Sequence, residues 1–119
     1  MKPCNHDSYP LYKQLIGPFR ELAKELGYAI AVHGTLKRDI DLLACPWTPA
    51  AVPPRILALS LRELAEQLFG RADLSWHLNQ TPEFTLQGGP GVKPHGRLGW
   101  CFSLGNGPSY VDLSIMPPE

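Results

Sequence analysis

Hydrophobic residues recur every three or four positions in two segments of the chain, 10–26 and 54–69. This is the spacing of one face of an α-helix, so each segment is predicted to form an amphipathic helix. Gly27 and Gly70 follow the two segments and are typical helix ends. Gly17-Pro18 is expected to kink the first helix or to split it in two. The apolar positions are Leu11, Leu15, Phe19, Leu22 and Leu26 in the first helix, and Leu57, Leu61, Leu64 and Leu68 in the second.

Other apolar runs are short and are bounded by glycine, proline or polar residues, which is typical of β-strands. A tight turn over 34–38 joins the first two strands, and Gly105-Asn106-Gly107-Pro108 is a hairpin signal between the last two. The strands are predicted at 28–33, 39–46, 98–104 and 109–116, with two further short strands at 75–78 and 83–86.

The order of these elements is a helix, two strands, a second helix and then two to four strands. Hairpins segregated from helices in this way indicate an α+β domain. The chain has 119 residues, which is the length of one domain, so residues 1–119 are expected to fold as a single unit. We predict a small mixed or antiparallel sheet with the two main helices packed on one face.

Acidic residues stand at alternate positions within two of the predicted strands. Because side chains alternate between the faces of a strand, Asp39 and Asp41 point the same way, and Asp112 lies opposite its apolar neighbours. If the two strands pair, the three carboxylates converge and suit Mg²⁺ or Mn²⁺. The competing interpretation is a set of turn and edge residues on a solvated face. Asp112 fits that interpretation less well, because aspartate is depleted in strands.

A Gly-Thr turn precedes the acids and completes a motif. Gly34-Thr35 comes first, Asp39-Ile40-Asp41 follows on a strand, and Asp112 stands on a later strand. This order resembles the nucleotidyltransferase superfamily, whose pattern is a Gly-Ser or Gly-Gly turn, an Asp-x-Asp or Asp-x-Glu pair and a third acid on another strand. More loosely, segments 32–47, 95–100 and 110–114 resemble small phage-encoded proteins without assigned function.

The resemblance implies a nucleotidyltransferase-like fold and a role for each residue of the motif. Asp39, Asp41 and Asp112 would be the catalytic and metal-binding residues, with Mg²⁺ or Mn²⁺ as the cofactor. Gly34 and Thr35 would hold the nucleotide phosphates through backbone N–H groups and a hydroxyl. Two basic residues, Lys37 in the turn and Arg97 after a glycine-rich stretch, are further candidates for binding phosphate oxygens, with solvated loop charges as the alternative.

The implied function is transfer of a nucleoside monophosphate from a nucleoside triphosphate to a hydroxyl group of an unidentified acceptor. The alternative is a catalytically inactive phage accessory protein on the same fold that binds a nucleotide or another protein. Only Leu36, Lys37 and Arg38 separate Thr35 from Asp39. Three residues form a hairpin turn but no helix to face a phosphate, which favours the alternative. A phosphohydrolase using water as the acceptor is a third possibility.

Composition narrows the expected partners. Eleven Lys and Arg residues balance eleven Asp and Glu residues, so the formal net charge is zero and no strong nucleic-acid signal is present. No apolar run approaches the roughly 20 residues of a membrane span, and no signal peptide is apparent. We therefore expect a cytoplasmic protein, in the host cytoplasm if it is phage-encoded. Cys45 and Cys101 fall in strands and are expected to be small core residues.

Overall fold

A computed structural model describes residues 7–37, 39–70, 91–92, 98–105 and 109–117. The strands predicted at 75–78 and 83–86 lie outside these residues. Within them, two helices and five strands form an α+β fold with a mixed sheet. The elements are α1 (Tyr9–Glu25), β1 (Tyr28–His33), β2 (Ile40–Pro46), α2 (Pro54–Phe69), β3 (Gly91–Val92), β4 (Leu98–Ser103) and β5 (Tyr110–Ile115).

Helix α1 is one continuous helix, so the expectation that Gly17-Pro18 splits it is wrong. Proline at position 18 cannot donate to the carbonyl of residue 14. That residue is exposed, so water can replace the lost bond. Buried side chains before and after the proline pack into the same core, which holds both halves in line. These side chains are Leu15, Phe19 and Ala23. Gly27 follows the helix with a φ of +97°, as its predicted role at the helix end requires.

Helix α2 has the predicted bounds but a different buried stripe. Gly70 ends it in the left-handed conformation, and its N–H donates to the Glu66 carbonyl at 2.8 Å. The buried positions are Leu57, Ala58, Leu61 and Ala65. The predicted stripe continued through Leu68, which is 38% exposed. Because Ala58 and Ala65 are small, α2 packs closely against the core through the face that carries them, and Leu68 lies outside that face.

The sheet has the strand order β1-β2-β5-β4-β3. β1 and β2 form an antiparallel hairpin, and β4 is antiparallel to both of its neighbours. In the middle of the sheet, β2 and β5 pair in parallel. The chain reaches this parallel pairing only after passing through α2, β3 and β4, so it is the longest-range connection in the sheet.

One face of the sheet packs against both helices. Its strand residues are buried together with the helix side chains in a single apolar cluster, so the predicted placement of the helices on one face is confirmed. The strand residues of this core are Tyr28, Ile30, Ile40, Leu42, Ala44, Trp100, Phe102, Val111, Leu113 and Ile115. By alternation, every second residue between them points to the opposite face, which carries the acids.

The described helices offer no candidate membrane span, since neither combines the required length with the required hydropathy. Two cysteines, Cys45 and Cys101, lie in the described strands. Cys101 is buried as expected, whereas Cys45 is half-buried. Cys101 pairs with Asp112 in the sheet register and therefore lies on the face opposite the helices, outside the main core.

Candidate metal centre

Three aspartates meet on the sheet face opposite the helices. Asp39, Asp41 and Asp112 each offer one carboxylate oxygen, and these oxygens all lie within 4.8 Å of one another. All three side chains are half-buried. The structure therefore brings together the three acids that the sequence singled out, in an arrangement that could bind a metal ion.

The apolar neighbours of the acids explain why they point to this face. Ile40 and Leu42 flank Asp41 and are fully buried, and Val111 and Leu113 flank Asp112 in the same way. Burying these side chains against the helices forces the intervening carboxylates to the other face. The parallel register sets Asp41 directly beside Asp112, so burial and register together build the cluster.

The spacing of the carboxylates has an electrostatic cost. Two unit charges 4.8 Å apart repel by about 3.5 kcal/mol at an effective dielectric constant of about 20. Partial exposure lets water and salt reduce this repulsion, and a divalent cation reverses its sign. An ionised cluster of this kind is therefore more stable with a cation than without one.

The size of the cluster fits a hard cation. Oxygen ligands on opposite sides of Mg²⁺ lie about 4.2 Å apart, and those around the larger Ca²⁺ up to about 5.2 Å apart. Because only one pair of ligands can lie on opposite sides of an ion, three oxygens within 4.8 Å of one another must draw closer to bind Mg²⁺ together, and less so to bind Ca²⁺. The all-oxygen donor set suits Mg²⁺, Mn²⁺ or Ca²⁺ rather than softer metals.

The turn between β1 and β2 runs against this cluster. Gly34 has a φ of +83°, and a Cβ atom built on it would lie 2.7 Å from Oδ2 of Asp41. No real Cβ atom fits at that distance, so the close approach of the backbone to the carboxylate requires glycine. His33 is the register partner of Asp41, so the chain begins its turn at the carboxylate cluster.

The remaining residues predicted to bind phosphate lie in or beyond this turn. Thr35 and Lys37 are exposed, and the Thr35 hydroxyl accepts a hydrogen bond from the Lys37 N–H at 3.3 Å. Leu36 between them has a φ of +64°, an uncommon conformation for a residue other than glycine. The turn that approaches Asp41 at Gly34 therefore also carries a threonine hydroxyl and a lysine. Arg97 lies outside the described residues.

Tyr110 is a functional candidate to which the sequence analysis gave no role. Its hydroxyl donates a hydrogen bond to Asp39. Burial raises the pKa of Tyr110 to about 12, and the negative charge of Asp39 acts in the same direction. The phenol therefore stays protonated and holds one carboxylate of the cluster in place. The alternation of Tyr110, Asp112 and Ser114 was the signal that could have identified it.

Comparison with known proteins supplies no family for this chain. No protein family model matches it, and neither the curated proteins nor the solved structures include a significant match. A functional assignment must therefore rest on the geometry and chemistry of the three aspartates and the turn beside them.

Proposed function

We propose that this protein is a metal-dependent nucleotidyltransferase that uses the three-aspartate cluster to bind Mg²⁺ or Mn²⁺. The observation that carries the proposal is the convergence of three carboxylates within 4.8 Å beside a glycine turn. Divalent ions held by such acids neutralise phosphate charge and orient a triphosphate for in-line attack. The resemblance of the motif to the nucleotidyltransferase superfamily gives the reaction class.

The proposed reaction is transfer of a nucleoside monophosphate from a nucleoside triphosphate to a hydroxyl group. The acceptor oxygen bonds to the α-phosphorus as the bond to the pyrophosphate leaving group breaks. Asp39 and Asp41 hold the metal, while Asp112 completes the ligand set or accepts the hydroxyl proton. Gly34 and Thr35 would bind the phosphates, and Lys37 in the same turn would supply positive charge. A role for Arg97 rests on the sequence resemblance alone.

One observation favours a second candidate function. Only three residues separate Thr35 from Asp39, and the Lys37 N–H already donates to the Thr35 hydroxyl, so this N–H is not directed at a phosphate. A turn supplies fewer N–H groups to a phosphate than a helix N-terminus does. A catalytically inactive accessory protein, which binds a metal and a nucleotide or another protein, is the alternative.

The first experiment measures thermal unfolding with Mg²⁺, Mn²⁺ or Ca²⁺, each with and without a nucleoside triphosphate. We expect metal to raise the melting temperature and Asp41→Asn to abolish the rise. Glu63→Gln is the matched control, because it removes one exposed negative charge from α2 and leaves the cluster intact. If none of the metals raises the melting temperature of the wild-type protein, the proposed site is eliminated.

The second experiment follows the products from a triphosphate with a labelled terminal phosphate. Pyrophosphate release with Mg²⁺ or Mn²⁺ indicates nucleotidyl transfer, whereas orthophosphate release indicates a phosphohydrolase. Ca²⁺ is the control, since it fits the cluster but commonly supports such chemistry poorly. Nucleotide binding without turnover over a panel of hydroxyl acceptors would favour the accessory-protein alternative.

A further inference from the structure

The outer edge of β1 is the most informative surface away from the aspartate cluster. Among the described strands, β1 is the first in the sheet order and pairs on one side only, with β2. The Trp47 N–H donates to the Gly27 carbonyl at 2.9 Å, which marks Gly27 and Trp47 as a hydrogen-bonded pair. In an antiparallel ladder such pairs alternate, so the main-chain groups of Tyr28, Ile30 and Val32 point away from β2.

A side chain confirms this direction. The Arg20 guanidinium, on α1, donates to the outward carbonyl of Ile30 at 3.4 Å. Pro46 stands opposite Tyr28 and has no N–H to donate, as expected where the pair exchanges no hydrogen bond. The strand therefore presents a row of peptide donors and acceptors that the sheet does not use.

A groove of about 420 Å³ lies along this edge. Its lining joins the two faces of the sheet, because Arg20 and Lys24 come from the helix side whereas Ala29 and Trp47 come from the opposite face. Trp47 is 59% exposed, which is unusual for so large an apolar side chain. The described lining contains two cations and no carboxylate. Its residues are Arg20, Lys24, Tyr28, Ala29, Ile30 and Trp47.

We propose that this groove binds an extended acidic peptide segment of a partner protein, which adds to the sheet as a strand beside β1. Main-chain hydrogen bonds to Ile30 and Val32 would give the peptide its direction and register. Because side chains alternate along a strand, acidic residues would face Arg20 and Lys24 while apolar residues rest on Trp47 and Ala29. An extended segment of alternating acidic and apolar residues therefore fits both sides of the edge.

Charge and hydrogen bonding distinguish this occupant from two others. A second copy of the chain pairing through the same edge would bring its own Arg20 and Lys24 toward the first pair, and like charges oppose that contact. A single-stranded nucleic acid could meet the cations and stack on Trp47, but it offers no regular row of peptide groups to the strand edge. The acidic peptide satisfies the charges, the aromatic surface and the main chain together.

The test uses a fluorescent peptide of alternating glutamate and valine, with binding followed by fluorescence anisotropy. Changing both Arg20 and Lys24 to glutamate is expected to weaken binding about tenfold or more. Lys13→Glu is the matched control, because Lys13 is an exposed cation of the same helix outside the groove. A peptide with lysine in place of glutamate, and one N-methylated at alternate residues, should both fail to bind.

Amide hydrogen exchange gives a second readout that a general charge effect would not produce. On peptide binding, the N–H groups of Ile30 and Val32 should become protected, whereas those of Ala29 and Ala31 are already paired with β2. Absence of binding, equal binding by the N-methylated peptide, or binding without this protection would overturn the proposal. Protection of these N–H groups that appears on raising the protein concentration without peptide would also overturn it. So would a single-stranded oligonucleotide that binds more tightly than the peptide and displaces it. The outcome is independent of the metal site.

Discussion

Replacing Gly34 by alanine disturbs the three-aspartate cluster without removing any carboxylate. The new Cβ atom would lie 2.7 Å from Oδ2 of Asp41, so the side chain of Asp41 must move for the variant to fold. The φ of +83° adds a backbone cost of about 1–2 kcal/mol for a residue with a Cβ atom. Gly34→Ala is therefore expected to reduce both stability and metal affinity.

Gly70→Ala separates these two effects. Gly70 has a φ of +84°, almost the same as that of Gly34, but an added Cβ atom would meet nothing within 4 Å. The two variants should therefore share the same backbone penalty, and each should lower the melting temperature by roughly 4 °C per kcal/mol in a chain of 119 residues. Only Gly34→Ala displaces a carboxylate of the cluster.

The expected effect on metal binding follows from the displaced ligand. Disturbing the support of a metal ligand commonly weakens affinity by about 10–100-fold. At a Mn²⁺ concentration about 100 times the wild-type Kd, binding stabilises the folded state by about 2.7 kcal/mol. The same concentration should stabilise Gly34→Ala by only about 0.4–1.4 kcal/mol, whereas Gly70→Ala should keep the full increment.

Thermal unfolding with and without Mn²⁺ measures the increments, and isothermal titration calorimetry gives the affinities directly. If both glycine variants keep the full Mn²⁺ increment, the contact between Gly34 and Asp41 has no bearing on the metal. If both lose it equally, loss of overall stability explains the effect instead. Either result would refute the assignment of Gly34 to the site.

Two further predictions concern Tyr110 and the core beneath the cluster. Because the raised pKa of Tyr110 favours its protonated form in the folded state, unfolding free energy should fall between pH 10 and about 12. Denaturant titrations at several pH values should show a smaller fall in unfolding free energy for Tyr110→Phe. Some fall should remain, because the pKa of Tyr28 is also raised by burial. The same dependence of unfolding free energy on pH in the variant and the wild type would contradict this prediction. Leu113→Ala, at a fully buried site, should cost about 2–5 kcal/mol, whereas Leu68→Ala on the exposed side of α2 should cost under about 0.5 kcal/mol.

Local patterns were sufficient to predict most of the elements and the face that each acid occupies. Alternation placed Asp112 opposite Val111 and Leu113, and burial of those two side chains enforces that placement. The helix spacing identified α2, but it could not show that two alanines replace Leu68 in the buried stripe. That choice depends on how closely the helix approaches the sheet, which is a property of the packed core.

Long-range contacts were beyond the reach of local patterns. The parallel pairing of β2 and β5 is one of these, since strand order depends on the whole sheet and both strands would look the same in another order. The buried hydrogen bond between the Ser8 and Ser109 hydroxyls, at 2.8 Å, is another, because it joins residues 101 positions apart. The sequence predicted that the three aspartates converge only if their two strands pair, so that prediction depended on the pairing of β2 and β5.

The short connection between Thr35 and Asp39 has a structural reason that sharpens the proposed function. It closes the hairpin of β1 and β2, whose register ends with His33 opposite Asp41, so a longer connection is not needed to reach the acids. A connection of three residues is too short to form a helix whose N-terminus could bind phosphate. Under the proposed function, triphosphate binding must then depend mainly on the metal ions that the aspartates hold. Nucleotide without a divalent ion should therefore leave the melting temperature unchanged, and a metal-independent shift would place the nucleotide elsewhere on the molecule.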